Sequence, residues 1–200
     1  MNTKSESATP AEINHKNLIV DAAIRKANDE QGIILINIGN GKGKSSAAFG
    51  MIARSLGHSM RVGIVQFVKG DIPTGEEKFF RQCPQVDYRV VGENLGTEVQ
   101  GRLNECQAIA LAWDHALRML NNPNISLVLL DELNVALKYN YLDTSHVIRA
   151  LEQRPCHQHV IITGQAAKPE LIEIADTVTD MREIKHAFKS GGCAQKGIER

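Results

Sequence analysis

An apolar segment that runs into a glycine-rich turn and a Lys-Ser pair constrains the fold of this chain more than any other feature. Residues 33–38 read Ile-Ile-Leu-Ile-Asn-Ile, and residues 39–46 read Gly-Asn-Gly-Lys-Gly-Lys-Ser-Ser. Glycines let consecutive backbone N–H groups turn toward one anion without a Cβ in the way. A strand, a loop of this composition and a following helix together predict a phosphate-binding loop.

Each part of this loop has a chemical task. Lys44 would place its ammonium group against the terminal phosphates of a nucleotide, and Ser45 would offer a hydroxyl to Mg²⁺. The helix that starts here would point the positive end of its dipole at the anion. The residues predicted to bind the nucleotide are Gly39, Asn40, Gly41, Lys42, Gly43, Lys44, Ser45 and Ser46.

The loop is a short variant of the usual pattern, which has four residues between its first glycine and the Gly-Lys pair. Gly39 and Gly43 are separated by three residues, and Ile38 stands where the first glycine would fall. A glycine turn with incidental lysines is the competing interpretation. The nucleotide site is favoured over it because the strand, loop and helix signals occur together in the required order.

A second apolar segment, residues 126–130, ends in the carboxylates of Asp131 and Glu132. Any strand can end in acidic residues, so this signal is weak by itself. Proteins with a phosphate-binding loop use such a strand end to hold the hydration shell of Mg²⁺. Because Mg²⁺ prefers oxygen ligands, we expect Ser45 and Glu132 to be its protein ligands, with Asp131 nearby.

Apolar runs alternate with helical patterns along most of the chain, which predicts a parallel sheet covered by helices on both faces. We therefore expect a three-layer α/β fold of the P-loop NTPase (RecA-like) type with a mostly parallel central sheet. Its ligands would bind at the carboxyl ends of the strands. The predicted elements cover residues 33–38, 45–56, 61–68, 98–120, 126–130, 144–152, 160–163 and 169–175.

The composition indicates the domain organisation, the kinds of partner and the cellular location to expect. Residues 1–31 form a polar tail and a weakly amphipathic helical arm, and residues 32–200 suit one domain. Lysine and arginine together number 23, and so do aspartate and glutamate. The chain therefore lacks the excess of positive charge that would indicate a nucleic-acid partner. The chain shows neither a signal peptide nor an apolar run long enough to span a membrane, which predicts a cytoplasmic protein without a membrane partner.

A phosphate loop names a ligand but not a reaction, since hydrolysis, phosphoryl transfer and nucleotide-gated switching all use one. A resemblance narrows the choice. Residues 39–50, with Ala53-Arg54 and Leu56-Gly57-His58, closely resemble the opening of bacterial ATP:cob(I)alamin (corrinoid) adenosyltransferases of the P-loop type, which share the short loop. Segments 62–70, 129–133, 160–164, 185–188 and 194–198 are similar to the same family.

This resemblance implies an adenosyl transfer. A corrinoid reduced to Co(I) attacks the 5′ carbon of ATP, a cobalt–carbon bond forms, and triphosphate leaves. The protein needs no catalytic base and chiefly positions its substrates. Lys44 and Glu132 would act on the reacting ATP, residues 40–46 would clasp the far end of the triphosphate, and Arg54 would also reach the nucleotide. The family further implies a homodimer, an amino-terminal arm near residues 17–30 that covers the site, and a flavodoxin-like reductant.

One segment departs from the family pattern. Similar members carry Gly-Phe-x-Trp after the strand at residues 87–91, and those aromatics pack under the corrin and help to exclude its lower ligand. This chain has Leu95 at the phenylalanine position and Thr97 at the tryptophan position. We therefore expect weak activity on complete cobalamin or a preference for an incomplete corrinoid such as cobinamide.

Two other functions remain open from the sequence. A regulatory or degenerate relative would bind ATP without adenosylating a corrinoid. A P-loop kinase or ATPase would release ADP and not triphosphate. The single tryptophan, Trp113, shares helical spacing with Ala110, Leu117 and Leu120, which favours core packing over ligand contact.

Overall fold

The computed structural model describes residues 31–68, 73–92, 102–191 and 193–198 of the chain. Gly32–Arg200 forms one compact unit. The predicted tail and arm lie outside the described residues, and so do Leu95 and Thr97. No helix in the described ranges has the length and apolar character needed to cross a membrane.

A sheet of parallel strands forms the centre of the molecule, as predicted. The strands are β1 (Ile34–Ile38), β2 (Val62–Gln66), β3 (Val86–Val90), β4 (Leu127–Asp131), β5 (His159–Thr163) and β6 (Thr177–Asp180). Their order in the sheet is β3-β2-β4-β5-β1-β6, and every pairing between neighbours is parallel. The α/β class and the parallel sheet are therefore confirmed.

Helices follow the strands. The sequence prediction included neither the two short helices at Gly75–Phe80 and Leu133–Lys138 nor the edge strand β6, whose four residues are all exposed. The helices are α1 (Lys44–Gly57), α2 (Gly75–Phe80), α3 (Arg102–Leu120), α4 (Leu133–Lys138), α5 (Thr144–Glu152) and α6 (Pro169–Glu173), with a 3₁₀ turn at Ala187–Ser190.

The two faces of the sheet bury separate apolar cores. Along β4, Leu127 and Leu129 join the core under α1 and α2, whereas Val128 and Leu130 join the core under α3, α4, α5 and α6. Successive strand side chains point to opposite faces, so a strand buried on both sides is apolar throughout. This arrangement gives the three layers that the sequence predicted.

The carboxyl ends of the central strands bring the predicted motifs to one edge. Asp131 at the end of β4 lies in register with Gln66 at the end of β2. Asn37 near the end of β1 lies in register with Thr163 at the end of β5. The loop after β1 and the acidic pair after β4 therefore face the same edge of the sheet, where ligands of such folds bind.

Candidate active site

A cleft of about 370 Å³ lies at this edge and contains most of the predicted nucleotide ligands. We call it the phosphate cleft. Its walls come from the loop after β1, from the start of α1 and from the acidic pair after β4. It is lined by Asn40, Gly41, Lys42, Gly43, Lys44, Ser45, Ser46, Phe49, Gln66, Thr74, Glu76, Asp131, Glu132 and Ile198.

The glycine loop is held against the segment that follows β6. The N–H of Gly41 donates to the carbonyl of Met181 at 2.6 Å, and the N–H of Gly39 donates to the carbonyl of Gln165 at 2.9 Å. A Cβ at Gly39 or Gly41 would lie 2.3 or 2.6 Å from the Met181 oxygen. These glycines are therefore required for close approach to a neighbouring segment, a role that the sequence did not reveal.

The anion-binding character of the loop comes from the start of α1. Gly43, with a φ of 111°, is its N-cap and offers no side-chain cap. The backbone N–H groups of the first turn have no hydrogen-bond partner within the helix, because the residues four positions before them lie outside it. Together with the helix dipole, they make the cleft favourable for an anion.

Lys44, the first residue of α1, is half-buried. Its Nζ donates to the carbonyl of Gly41 at 2.8 Å, and its own carbonyl accepts from Nδ2 of Asn37 at 3.3 Å. The ammonium group is thus positioned within the curve of the loop by its own backbone. Lys44 lines the phosphate cleft, where a phosphate oxygen would be a stronger, charged partner than a carbonyl.

Asp131 is fixed by hydrogen bonds to both carboxylate oxygens. Oδ1 accepts from the hydroxyl of Thr163 at 2.8 Å, and Oδ2 accepts from Nε2 of Gln66 at 3.0 Å. The hydroxyl of Tyr88 in turn donates to Oε1 of Gln66 at 2.8 Å. Burial, followed by the charge of Asp131, raises the pKa of Tyr88, so the phenol remains a donor. Asp131 therefore has a structural role in the site, because it links β4 to Gln66 on β2 and to Thr163 on β5.

Glu132 differs from Asp131 in that its backbone, and not its carboxylate, makes the hydrogen bond to Thr163. Its backbone has a φ of 59°, in the left-handed region, and its N–H donates to the Thr163 hydroxyl at 2.8 Å. Burial raises the pKa of Glu132, Asp131 raises it further, and Lys44 lowers it. Glu132 lines the cleft together with Ser45, so two oxygen donors suited to Mg²⁺ face the same space.

A second cleft of about 450 Å³ shares Lys44 and Glu132 with the phosphate cleft. An apolar cavity of about 480 Å³ shares Val68, Val135 and Tyr139 with the second cleft. The second cleft is lined by Lys44, Val68, Glu132, Asn134, Val135, Lys138, Tyr139, Gln165 and Ala166. The apolar cavity is lined by Phe67, Val68, Val91, Glu105, Ala108, Ile109, Val135, Tyr139 and Tyr141.

Some predicted residues lie elsewhere. Arg54 is exposed on α1 and does not line these three spaces in the described structure. Trp113 is buried and packs against Phe67, with ring centroids 6.5 Å apart, so its core role is confirmed. The sequence analysis missed Thr163 and Asn134; Thr163 ends a predicted strand, a position that could have identified it.

Comparison with known proteins agrees with the resemblance seen in the motifs. Residues 30–200 match the sequence profile of the family described as ATP:corrinoid adenosyltransferase BtuR/CobO/CobP. Domain III of the Thermotoga maritima replication initiation protein DnaA aligns with a TM-score of 0.41 at 10% identity, covering 87% of this chain and 63% of that chain.

Three curated relatives span nearly the whole chain. The corrinoid adenosyltransferase of Pseudomonas aeruginosa is 52% identical over 92% of this chain and 91% of its own length. That of Escherichia coli K12 is 43% identical, and the corrinoid adenosyltransferase CobA of Salmonella typhimurium is 44% identical, each over 90% of this chain and 91% of its own length. The chain therefore belongs to the family of ATP:corrinoid adenosyltransferases.

Proposed function

We propose that this protein transfers the 5′-deoxyadenosyl group of ATP to the cobalt of a reduced corrinoid and releases triphosphate. One observation carries the proposal beyond family membership. Lys44 and Glu132 line both the phosphate cleft and the second cleft, and the second cleft shares three lining residues with the apolar cavity. A polar space suited to triphosphate thus adjoins a less polar space suited to the second substrate.

The chemistry requires few groups from the protein. The electron pair of Co(I) forms the bond to the 5′ carbon while the bond between that carbon and the triphosphate oxygen breaks. The pair of the broken bond leaves with the triphosphate, so no proton needs to be removed. What the protein supplies is the placement of two substrates and positive charge near the leaving group.

The loop residues would supply that charge. The amides at the start of α1 would donate to phosphate oxygens, and Lys44 would exchange its bond to the Gly41 carbonyl for a bond to the triphosphate. Since a charged partner is stronger than a carbonyl, this exchange favours ATP binding. Residues 39–46 are the proposed nucleotide ligands, and Arg54 remains a proposed contact.

Mg²⁺ fits the oxygen donors that the cleft contains. Ser45 and Glu132 would hold it, because both line the phosphate cleft while the two carboxylate oxygens of Asp131 already accept hydrogen bonds. When bound, the ion neutralises charge on the triphosphate. Asp131 and Thr163 keep the backbone of Glu132 in place.

The remaining parts of the proposal rest on family membership. We expect a homodimer in the cytoplasm, a flavodoxin-like protein as the source of electrons, and a helical arm within residues 1–31 in addition to the 32–200 domain. Leu95 and Thr97 would lie on the corrinoid side and favour cobinamide over complete cobalamin. Neither nucleic acid nor a membrane is an expected partner.

The test is a reaction under anaerobic conditions with Mg²⁺, ATP and chemically reduced cobalamin or cobinamide. Adenosylcorrinoid and triphosphate should appear in equal amounts. Release of ADP in place of triphosphate would contradict the proposal and identify a kinase or ATPase. Binding of ATP with neither product would identify a regulatory or degenerate relative.

A further inference from the structure

Asn134 is a buried amide without a hydrogen-bond partner among the described residues. It is 4% exposed, and neither its Nδ2 nor its Oδ1 has a partner. Gln158 is a buried amide of a different kind: its Oε1 also lacks a partner, but its Nε2 donates to the carbonyls of Met119, Asn122 and Ile125. A buried amide that binds no protein group loses its water without compensation, so its presence needs a reason.

The surrounding backbone leaves just enough space for the Asn134 side chain. Asn134 lies in the first turn of α4, two positions after Glu132, and packs on Gly164 at the end of β5. A Cβ at Gly164 would lie 2.5 Å from the Cβ of Asn134 and 3.2 Å from its Nδ2. Any other residue at position 164 would push the amide away. Its place is therefore tightly determined by the surrounding backbone.

The position of Asn134 connects it to the second substrate. It lines the second cleft beside Lys44 and Glu132 and does not line the phosphate cleft, as far as the described residues define either. The second cleft is also lined by Gln165, a further carboxamide, and shares Val68, Val135 and Tyr139 with the apolar cavity. A ligand that extends from one space into the other needs an apolar body and polar groups at its edge.

A corrinoid has this chemistry, since its flat apolar ring carries primary carboxamides around its periphery. An asparagine amide, with one acceptor and two donors, is the complement of such a group. We propose that Asn134 binds a peripheral carboxamide of the corrinoid and so helps to set the position of the ring relative to ATP. This inference rests on the proposed function.

The informative change is Asn134→Leu, which keeps a similar volume and removes both polar atoms. The KM for cobinamide should rise about tenfold, as expected for one or two lost hydrogen bonds, while the KM for ATP stays unchanged. The melting temperature should stay the same or rise, because an unpaired buried amide gives way to an apolar group. If this variant fails to fold, Asn134→Ala is measured in the same way.

Gln158→Leu is the matched control, because it removes an amide that does have protein partners. It should lower the melting temperature and leave both KM values unchanged. If Asn134→Leu behaves like this control, Asn134 is structural and the inference is wrong. A rise in the KM for ATP and not for the corrinoid would also overturn it.

Equilibrium titration with cobinamide separates this inference from the proposed function. A wild-type protein that binds cobinamide but forms no adenosylcorrinoid would refute the proposed function alone, and weaker binding by Asn134→Leu would still support the role of the amide. A wild-type protein that binds no corrinoid would overturn the inference as well.

Discussion

The hydroxyl of Thr163 donates a hydrogen bond of 2.8 Å to Oδ1 of Asp131. The Thr163 hydroxyl oxygen also accepts the N–H of Glu132 at 2.8 Å, so one hydroxyl joins β5 to the acidic end of β4. Thr163 is fully buried and Asp131 is 5% exposed. Water therefore cannot readily replace this hydroxyl, and its removal leaves polar groups of the site without a partner.

Thr163→Val removes the hydroxyl with little change in shape. We expect the free energy of unfolding to fall by about 1–3 kcal/mol, because a buried acceptor and a buried donor lose their partner. Denaturant unfolding measures this change. Thr163→Ser keeps the hydroxyl and should retain most of the stability. Equal stability of the valine and wild-type proteins would show that the bond has no structural weight.

Lys44→Ala tests the nucleotide site. ATP affinity should fall about 10- to 100-fold, since a hydrogen bond to a charged group contributes about 1.5–3 kcal/mol. Isothermal titration calorimetry measures it. Lys78→Ala removes an exposed lysine from α2 that does not line the described clefts, and it should leave ATP affinity unchanged. Unchanged affinity in Lys44→Ala would contradict the phosphate-loop assignment.

The raised pKa of Glu132 predicts a pH dependence of stability. The folded state holds this proton more tightly than the unfolded state, so stability decreases as pH rises above the ordinary value of 4.5 and through the raised pKa. Glu132→Gln removes this dependence. The variant should match the wild type in acid and be more stable at neutral pH without Mg²⁺.

Thermal unfolding at a series of pH values checks this prediction, and the same series with Mg²⁺ and ATP extends it. Bound Mg²⁺ and ATP should stabilise the wild type more than Glu132→Gln, because the carboxylate is a proposed metal ligand. If Glu132→Gln showed the same pH dependence of stability as the wild type, the burial of Glu132 could not be the cause of that dependence.

Two glycines near the loop should respond to alanine in opposite directions. Gly41→Ala would bring a Cβ to 2.6 Å from the Met181 carbonyl, so we expect a displaced loop, lower stability and weaker ATP binding. Gly50 lies within α1, and apart from the backbone of its own helix and its chain neighbours no atom lies within 4 Å of an added Cβ. Gly50→Ala should therefore stabilise the protein by about 0.5–1 kcal/mol. Thermal unfolding compares both, and a stable Gly41→Ala with normal ATP affinity would contradict the close contact.

The central layers could be predicted from the sequence because burial on both faces leaves a continuous apolar run. Residues 33–38 and 126–130 overlap β1 and β4 for this reason. The edge strand β6 could not be found in this way, since it is exposed and polar. The short helix α4 begins directly after the acidic pair. Its N-cap is Glu132, which has a left-handed backbone conformation and makes no side-chain cap hydrogen bond, so no capping pattern in the sequence marks the start of this helix.

The site was predictable where one segment carries the chemistry and not where distant segments meet. The loop and Glu132 have sequence signals of their own. Asn134 has none, because its lack of a partner and its fit against Gly164 exist only after folding. The contact of Gly41 with Met181 is of the same kind, since no local pattern relates these two positions.

The attachment of the glycine loop to Met181 also sets an order of events during synthesis. The loop follows the first described strand, yet the carbonyl that holds Gly41 follows the last one. A ribosome must therefore deliver almost the entire domain before the loop can take its final shape. Nascent chains halted before residue 181 would possess every residue from 39 to 46 and still lack a properly shaped loop for ATP.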